Sequence, residues 1–105
     1  MESTEIEIQN SICEYLQIKK YFFWRQNTSP TLTPDGKGFR RMSRYSRTGI
    51  PDIIIVEKGL FVGLEVKRKN STQSDSQKQF QKDLEKAGGR YYIVRSIDDI
   101  QKLGL

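Results

Sequence analysis

The most hydrophobic stretch of the chain lies near its middle, where two apolar runs predict a pair of β-strands. Ile53–Val56 is a run of β-branched residues, a composition typical of a buried strand. Pro51 cannot donate to a sheet ladder and favours an extended residue before it, so we expect the strand to begin near Asp52. Lys58-Gly59 predicts a turn into the second run, residues 60–67. The two strands should therefore be hydrogen-bonded neighbours.

The second run alternates between two kinds of side chain. Because successive side chains of a strand point to opposite faces, one face is predicted to be apolar and to form core. That face carries Leu60, Val62, Leu64 and Val66. The opposite face carries Phe61, Gly63, Glu65 and Lys67. An acidic and a basic residue thus share a face that Asp52 can reach from the neighbouring strand.

The remaining apolar positions predict helices and strands on either side of this hairpin. Thr4-x-x-Glu7 and Ser74-x-x-Gln77 have the form of capping boxes, and apolar residues at helical spacing follow each of them. The predicted order is helix 4–19, strand 21–25, strand 52–56, strand 60–67, helix 74–87, strand 91–94 and a short helix from residue 96. The helix positions expected to face inward are Ile8, Ile12, Leu16, Phe80, Leu84, Ile97, Ile100 and Leu103. Trp24 is expected to pack in the sheet, with ligand stacking as the alternative.

This order predicts the fold class. A hairpin followed by a helix and a further strand implies an α/β protein with a mixed central sheet and helices on its faces. At 105 residues, the chain is expected to form a single domain, residues 1–105, with a modest core.

The composition excludes several kinds of site. The chain has no histidine and one cysteine, Cys13, which excludes serine–histidine hydrolases, histidine–metal nucleases, zinc fingers and an internal disulfide. The net charge of +5 favours a polyanionic partner, although a ribosomal or scaffold protein would have a similar charge. No apolar run approaches the roughly 20 residues of a membrane span, and the N-terminus does not resemble a signal peptide. We therefore expect no membrane association and a cytoplasmic location.

A long basic connection leads into Asp52. Prolines and glycines interrupt residues 28–48, and a connection of this length is usually functional or disordered. After Asp35 the connection contains basic residues and no acid, so contact with backbone phosphates is its predicted use. The alternative is a solvated basic loop. The residues predicted to bind DNA are Lys37, Arg40, Arg41, Arg44 and Arg47 here, and Arg68 and Lys69 after the second central strand.

Asp52, Glu65 and Lys67 are predicted to converge at one end of the sheet. Two carboxylates and a backbone carbonyl form a hard-ligand site suited to Mg²⁺ or Mn²⁺. A divalent ion there can polarise a phosphodiester and lower the pKa of a bound water, while the lysine orients that water or stabilises developing charge. The alternative is an aspartate at a strand start and a surface Glu–Lys pair, worth about 0–1 kcal/mol. Placing E-x-K within an apolar strand favours the metal site, because burial of charge has no evident structural benefit.

At these residues the sequence resembles a nuclease superfamily. Pro51-Asp52, followed after twelve residues by Glu65-Val66-Lys67, resembles the PD-(D/E)xK signature. With Gly49-Ile50, Gly63-Leu64 and the downstream segment 74–77, the pattern is similar to the VRR-NUC branch, including its small stand-alone members from phages and bacteria. The resemblance covers nearly the whole chain. It implies a restriction-endonuclease-like core.

The resemblance also implies a set of site residues. The metal ligands would be Glu5, Asp52, Glu65 and the Val66 carbonyl, with Lys67 positioning the attacking water and Gln77 in the surroundings. For Glu5, the alternative is a first-turn acid favoured by the helix dipole. For Gln77, helix capping is an equally good explanation. Glu7 is expected to act in the cap of the first helix.

The implied function is Mg²⁺- or Mn²⁺-dependent cleavage of DNA phosphodiester bonds. The resemblance associates such proteins with branched DNA, including four-way (Holliday) junctions, and implies a homodimer in a bacterial or phage-infected cell, without an organic cofactor. The alternatives from other classes are a non-catalytic nucleic-acid-binding module, a nuclease subunit that requires a partner, and a scaffold whose basic loop contacts proteins.

Overall fold

The computed structural model of the chain describes residues 3–26 and 44–105. These residues form helices and strands in the order predicted from the sequence. The elements are α1 (Glu5–Ile18), β1 (Phe22–Arg25), β2 (Ile53–Glu57), β3 (Leu60–Val66), α2 (Asp75–Lys86), β4 (Arg90–Val94) and α3 (Ile97–Lys102). No helix among them is both long enough and apolar enough to cross a membrane. Lys37, Arg40 and Arg41, predicted to bind DNA, lie outside the described residues.

The four strands form one mixed sheet in the order β1-β2-β3-β4. The β1–β2 and β2–β3 pairs are antiparallel, and the β3–β4 pair is parallel. Parallel neighbours need a crossover connection, and α2 supplies it between β3 and β4. The predicted α/β architecture, a mixed sheet flanked by helices, is confirmed.

The main hydrophobic core lies between one face of the sheet and the helices α1 and α3. Ile12 and Leu16 from α1 and Ile100 from α3 are fully buried in it. The strand residues of this core are Ile53, Ile55, Val62, Leu64, Val66 and Val94. The predicted core face of β3 is therefore confirmed, with Leu60 half-buried at its edge.

The helix starts are fixed by the predicted capping residues. Ser74 Oγ accepts from the Gln77 backbone N–H at 3.2 Å, and Gln77 Oε1 accepts from the Ser74 N–H at 2.8 Å, so the box at α2 is complete. At α1, Thr4 Oγ1 accepts from the Glu7 N–H at 3.1 Å. These bonds satisfy backbone donors that the first helical turn leaves without partners.

Some predicted inward positions are more exposed than expected. Leu103 is 36% exposed because α3 ends at Lys102, so the apolar stripe does not continue to it. Phe80 and Leu84 on α2 are only half-buried. Trp24 is 40% exposed and packs edge-on against Phe22 at 6.1 Å between ring centroids. Trp24 thus packs against a neighbour within the sheet, as expected, but it stays partly exposed because β1 is an edge strand.

Two glycines of the 49–63 region, Gly49 and Gly63, pack too closely against other residues to carry a side chain. Gly49 has φ of 76°, and a Cβ added there would lie 2.2 Å from the Ser76 carbonyl oxygen at the start of α2. A Cβ added at Gly63 would lie 2.6 Å from Cγ of Pro51. The segment before β2 is thus pressed against α2 on one side and against β3 on the other. This packing fixes the position of Asp52, the next residue.

We predict that Gly49→Ala destabilises the protein far more than Gly59→Ala. Both glycines have positive φ, but a Cβ at Gly59 meets no atom within 4 Å. Gly59→Ala should therefore show only the left-handed backbone penalty of about 1–2 kcal/mol. Gly49→Ala adds a clash with backbone atoms of α2, and we expect about twice that loss or more. Urea unfolding measures both, and equal losses would contradict the close packing against α2.

Candidate active site

Asp52 and Glu65 lie opposite each other at the end of the β2–β3 pair. The register pairs Ile53 with Leu64, so its continuation by one residue sets Asp52 against Glu65. At this end of the β2–β3 pair a side chain takes the place of a backbone acceptor, since Asp52 Oδ2 accepts from the Val66 backbone N–H at 2.8 Å. The structure thus brings the two carboxyl groups together, as the predicted hairpin requires.

The Glu65 carboxyl and the Lys67 ammonium are both buried. Glu65 is 2% exposed and Lys67 is 9% exposed. Lys67 Nζ lies 3.7 Å from Glu65 Oε2, which is longer than a hydrogen bond. Glu65 Oε1 is buried without a hydrogen-bond partner among the described residues. This excludes the surface Glu–Lys pair considered as an alternative, and a buried oxygen without a partner indicates a place for an ion or water.

The surroundings of Glu65 hold its carboxyl in the protonated form. The pKa of Glu65 is raised from 4.5 to about 8, most of all by burial, and also by the hydrogen bond with Asp52 and the charge of Asp52. The Lys67 ammonium lowers this pKa, while the charge of Glu5 adds a smaller increase. Near pH 7 and without a bound cation, the Glu65 carboxyl is therefore largely protonated.

Glu5 and Glu7 take different places in the first turn of α1. Glu5 is half-buried, and its charge acts on the Glu65 carboxyl. Glu7 is exposed, and its backbone N–H is bound by the Thr4 cap. Of these two acids, Glu5 is therefore placed toward the site, in agreement with the predicted phase of the helix.

Two other predicted site residues have structural contacts of their own. The Val66 backbone lies beside Asp52 through the N–H bond described above, and Val66 pairs with Val94 of β4. Gln77 uses its side-chain oxygen in the cap of α2. Its backbone also approaches Gly49, since a Cβ there would lie 2.8 Å from Gln77 N. Capping is thus shown for Gln77, and its active-site role stays a prediction.

The basic residues predicted to bind DNA are in varied settings. Arg47 forms an ion pair with Asp83 of α2, and its guanidinium lies 5.9 Å from the centroid of the Phe80 ring. Arg44 lies over the exposed Tyr45 ring at 5.6 Å. Arg68 and Lys69 are exposed just after β3. Arg47 therefore ties the connection to α2, a role that the sequence did not indicate, and DNA contact by these residues stays a prediction.

Tyr91 belongs to the site but was not singled out from the sequence. It pairs with Gly63 in the parallel β3–β4 register, so its ring lies on the Glu65 face, and it is 3% exposed. Its pKa is raised to about 12, mainly by burial and to a smaller extent by the site carboxylates, while the Gln73 amide acts in the opposite direction. Gln73 Nε2 donates instead to Gln81 Oε1 at 2.8 Å, and the Tyr91 hydroxyl has no partner among the described residues. Alternation along β4 would have placed Tyr91 here if the parallel register had been known.

The two facing carboxyl groups fit a divalent ion. Mg²⁺ is usually held by one or two carboxylates, with waters and substrate phosphates filling the other positions. Glu65 Oε1, buried and without a partner, and the neighbouring Asp52 carboxyl supply oxygen ligands of this kind. Within residues 3–26 and 44–105, no three acidic or thiol side chains are grouped closely enough to hold an ion together. Glu5, the predicted third carboxylate, is near enough for its charge to act on Glu65. It is not close enough to bind the same ion together with Asp52 and Glu65.

Comparison with known proteins supports the fold. No protein-family model matches the sequence, and no curated protein matches it. A solved structure described as a VRR_NUC domain superposes with a TM-score of 0.65, covering 96% of this chain and 95% of its own, at 19% sequence identity. The chain therefore has the fold of a VRR-NUC domain. The restriction-endonuclease-like core that the sequence resemblance implied is confirmed.

We predict that, without divalent ions, the protein loses stability as the pH rises through Glu65's titration. A carboxyl whose pKa is higher in the folded state binds its proton more tightly when folded. Its contribution to the free energy of unfolding is therefore complete below pH 4.5. That contribution is lost as the pH rises to about 8. Melting temperatures in EDTA between about pH 5 and pH 9 should fall for the wild type and change less for Glu65→Gln.

Glu14→Gln is the matched control, because Glu14 is an exposed acid on α1. Its melting temperatures should follow those of the wild type at every pH. Mn²⁺ should also raise the melting temperature of the wild type more than that of Glu65→Gln, since a ligand that binds only the folded state stabilises it. Parallel pH profiles for the wild type and Glu65→Gln would contradict the buried, protonated carboxyl.

Proposed function

We propose that the protein is a metal-dependent deoxyribonuclease that hydrolyses phosphodiester bonds. The observation that carries this proposal is the buried Glu65 carboxyl, which faces Asp52 and has a lysine beside it at the end of the central strands. The VRR-NUC fold adds support, because the fold and the site coincide in one chain. Folds alone do not fix function, so the argument depends on the site.

Asp52 and Glu65 would hold one Mg²⁺ or Mn²⁺ ion. When bound, such an ion polarises the phosphodiester and lowers the pKa of a coordinated water. Asp52 is oriented for this role because one of its oxygens is fixed by the Val66 N–H. The Glu65 proton must leave before its carboxylate can bind a cation, so ion binding should release protons near neutral pH. Glu5 would approach as a further ligand from α1, directly or through water.

Lys67 would act on the attacking water and on the phosphate. Its ammonium is buried beside Glu65 and is therefore pre-oriented, with little freedom to lose during the reaction. Three N–H donors allow it to bind a water oxygen and a phosphate oxygen from one position. The chain contains no histidine, so another group accepts the proton of the attacking water, such as a carboxylate, a substrate oxygen or solvent.

We further propose that the substrate is branched DNA, such as a four-way junction, cut by a homodimer. This part rests on the sequence resemblance to small VRR-NUC proteins. A two-fold dimer would present two active sites, one for each of two strands. Cleavage of labelled junction, flap and linear duplex, with and without Mn²⁺, tests the substrate and the metal together.

We predict that Lys67→Ala lowers single-turnover cleavage by about 10²–10³-fold while DNA binding changes little. Loss of one preorganised donor at a reacting centre has an effect of this size. Lys67 is one of 18 basic residues and is buried, so its removal should leave phosphate contacts at the surface nearly unchanged. Lys86→Ala, at the exposed end of α2, is the control and should cleave like the wild type. Normal cleavage by a folded Lys67→Ala variant would overturn the role.

We predict that Glu5→Gln reduces cleavage and Mn²⁺ affinity far more than Glu7→Gln. The two acids are two residues apart, but the structure sets only Glu5 within the field of Glu65. Glu7→Gln should also cost little stability, because Thr4 accepts from the backbone N–H of residue 7 and that bond remains. Calorimetric titration with Mn²⁺ compares the metal affinities of the two variants, and single-turnover rates compare their cleavage. The reverse ranking would assign the helix ligand to Glu7.

A further inference from the structure

A second concave site lies at the same end of the sheet, beneath the helices of the core face. This cavity, of about 510 Å³, is outside the carboxylate site. Three cationic side chains and three hydroxyl-bearing residues line it, with one carboxylate and two apolar side chains. The lining residues are Ser3, Ile8, Ser11, Arg68, Lys69, Arg95, Ser96, Ile97 and Asp98.

The parallel pairing of β3 and β4 gathers these cations. Strands that run in the same direction end at the same edge of a sheet, and Val66 and Val94 are paired there. Arg68 and Lys69 follow β3, and Arg95 follows β4, so they line one cavity although they are distant in the sequence. The Lys67 N–H donates to the Val94 carbonyl at 3.0 Å, which holds the two strand ends together.

We propose that this cavity binds a backbone phosphate of the nucleic-acid substrate, next to the phosphate that is cleaved. The inference rests on the proposed nuclease function and adds a second contact point to it. Guanidinium groups and hydroxyls are the usual partners of phosphate oxygens in protein–DNA complexes. Three cations against the single carboxylate of Asp98 leave the cavity positive, and Ile8 and Ile97 give it apolar walls that suit a sugar.

The position of the cavity fits a neighbouring phosphate. Arg68 follows Lys67 directly, and consecutive Cα atoms are about 3.8 Å apart. Lys67 lies on the Glu65 face, whereas Ile8 and Ser11 of α1 belong to the opposite side of the sheet. A strand bound at both places would therefore cross the end of the sheet, past the α1 turn that carries Glu5.

Arg95 is held in place for this contact. One of its guanidinium nitrogens donates to the Ser71 carbonyl at 2.9 Å, and its backbone N–H donates to Asp99 Oδ2 at 2.8 Å. Guanidinium has five N–H donors in a planar fork, so the bond to Ser71 leaves others for a phosphate. Asp99 is engaged with the backbone and is not part of the cavity wall.

The test measures DNA binding in EDTA, so that its outcome does not depend on cleavage. Affinity for a duplex of fixed length is measured over a range of KCl concentrations. Each phosphate contact contributes about 0.9 to the steepness of log K against log salt. Arg95→Gln and Lys69→Gln should each weaken binding and flatten the slope by about that amount. Arg95→Lys, which keeps the charge, should recover most of the slope.

Arg90→Gln is the matched control for charge. Arg90 is an exposed arginine on β4 at the opposite end of the strand, and it does not line the cavity. Its substitution should leave the slope unchanged. Equal flattening by Arg90→Gln and Arg95→Gln would show a diffuse electrostatic effect and would overturn the proposal.

Ser11→Leu tests the cavity itself without a change of charge. Ser11 is an exposed position on α1, so leucine should be compatible with the helix while occupying the space. We expect weaker DNA binding and a flatter slope, whereas Gln17→Leu, elsewhere on the exposed side of α1, should bind like the wild type. Normal binding by a folded Ser11→Leu variant would remove the cavity from the binding surface.

Two further outcomes separate this proposal from its neighbours. If inorganic phosphate raises the wild-type melting temperature above that in chloride of equal ionic strength, and Ser11→Leu abolishes the rise but binds DNA like the wild type, the cavity binds only free phosphate and the proposal is wrong. If the wild type does not bind DNA, the proposed function and this inference both fail. Binding by the wild type with unaltered slopes in Arg95→Gln and Lys69→Gln overturns the cavity alone and leaves the nuclease proposal standing.

Discussion

The contact on which the site depends is the approach of two carboxyl groups, Asp52 and Glu65, across the end of an antiparallel pair. Such groups repel when both are ionised, so the surrounding structure must hold them together. The Val66 N–H binds Asp52, and the Pro51 ring packs on Gly63. Gly49 in turn packs against the first turn of α2. The glycines and the proline of the motif therefore act as packing residues that position its acids.

This arrangement is unfavourable for stability in the absence of an ion. Glu65 Oε1 and the Tyr91 hydroxyl are both buried without partners in the described part of the chain. A buried polar group without a hydrogen bond is destabilising by about 1–3 kcal/mol. Groups of this kind persist where function requires them, and proteins commonly sacrifice stability at their active sites. Both atoms lie on the same face of the sheet, in neighbouring strands.

The sequence was most informative where the structure at a residue depends on the residues next to it in the chain. Alternation along β3 separated the core residues from Glu65 and Lys67, and the short turn after Val56 fixed the register that sets Asp52 against Glu65. Capping residues gave the helix starts. Positions that depend on other elements were predicted less well. Trp24 is exposed because of its strand's place at the sheet edge, and a strand's own sequence does not show which neighbours it has.

The same limit applies to the charges. Arg47 was predicted to contact DNA because it lies in a basic segment, but its ion pair with Asp83 and its contact with Phe80 depend on where α2 packs. Arg95 was not predicted to have a role, since nothing near it in the sequence is distinctive. The positions of Arg47 and Arg95 can be understood only once the crossover through α2 has set β4 beside β3.

That crossover also determines which cations lie near the two acids. If β4 ran antiparallel to β3, Arg90 rather than Arg95 would lie beside the end of β3. The parallel arrangement brings Arg95 to Arg68 and Lys69, beside the carboxylate site but separated from it by the sheet. Under the proposed function, the cations on one face of the sheet would attract phosphates, and the two acids on the other face would remain free to hold a cation. Lys67 lies at the edge that joins the two faces, where a nucleic-acid strand bound as proposed would pass.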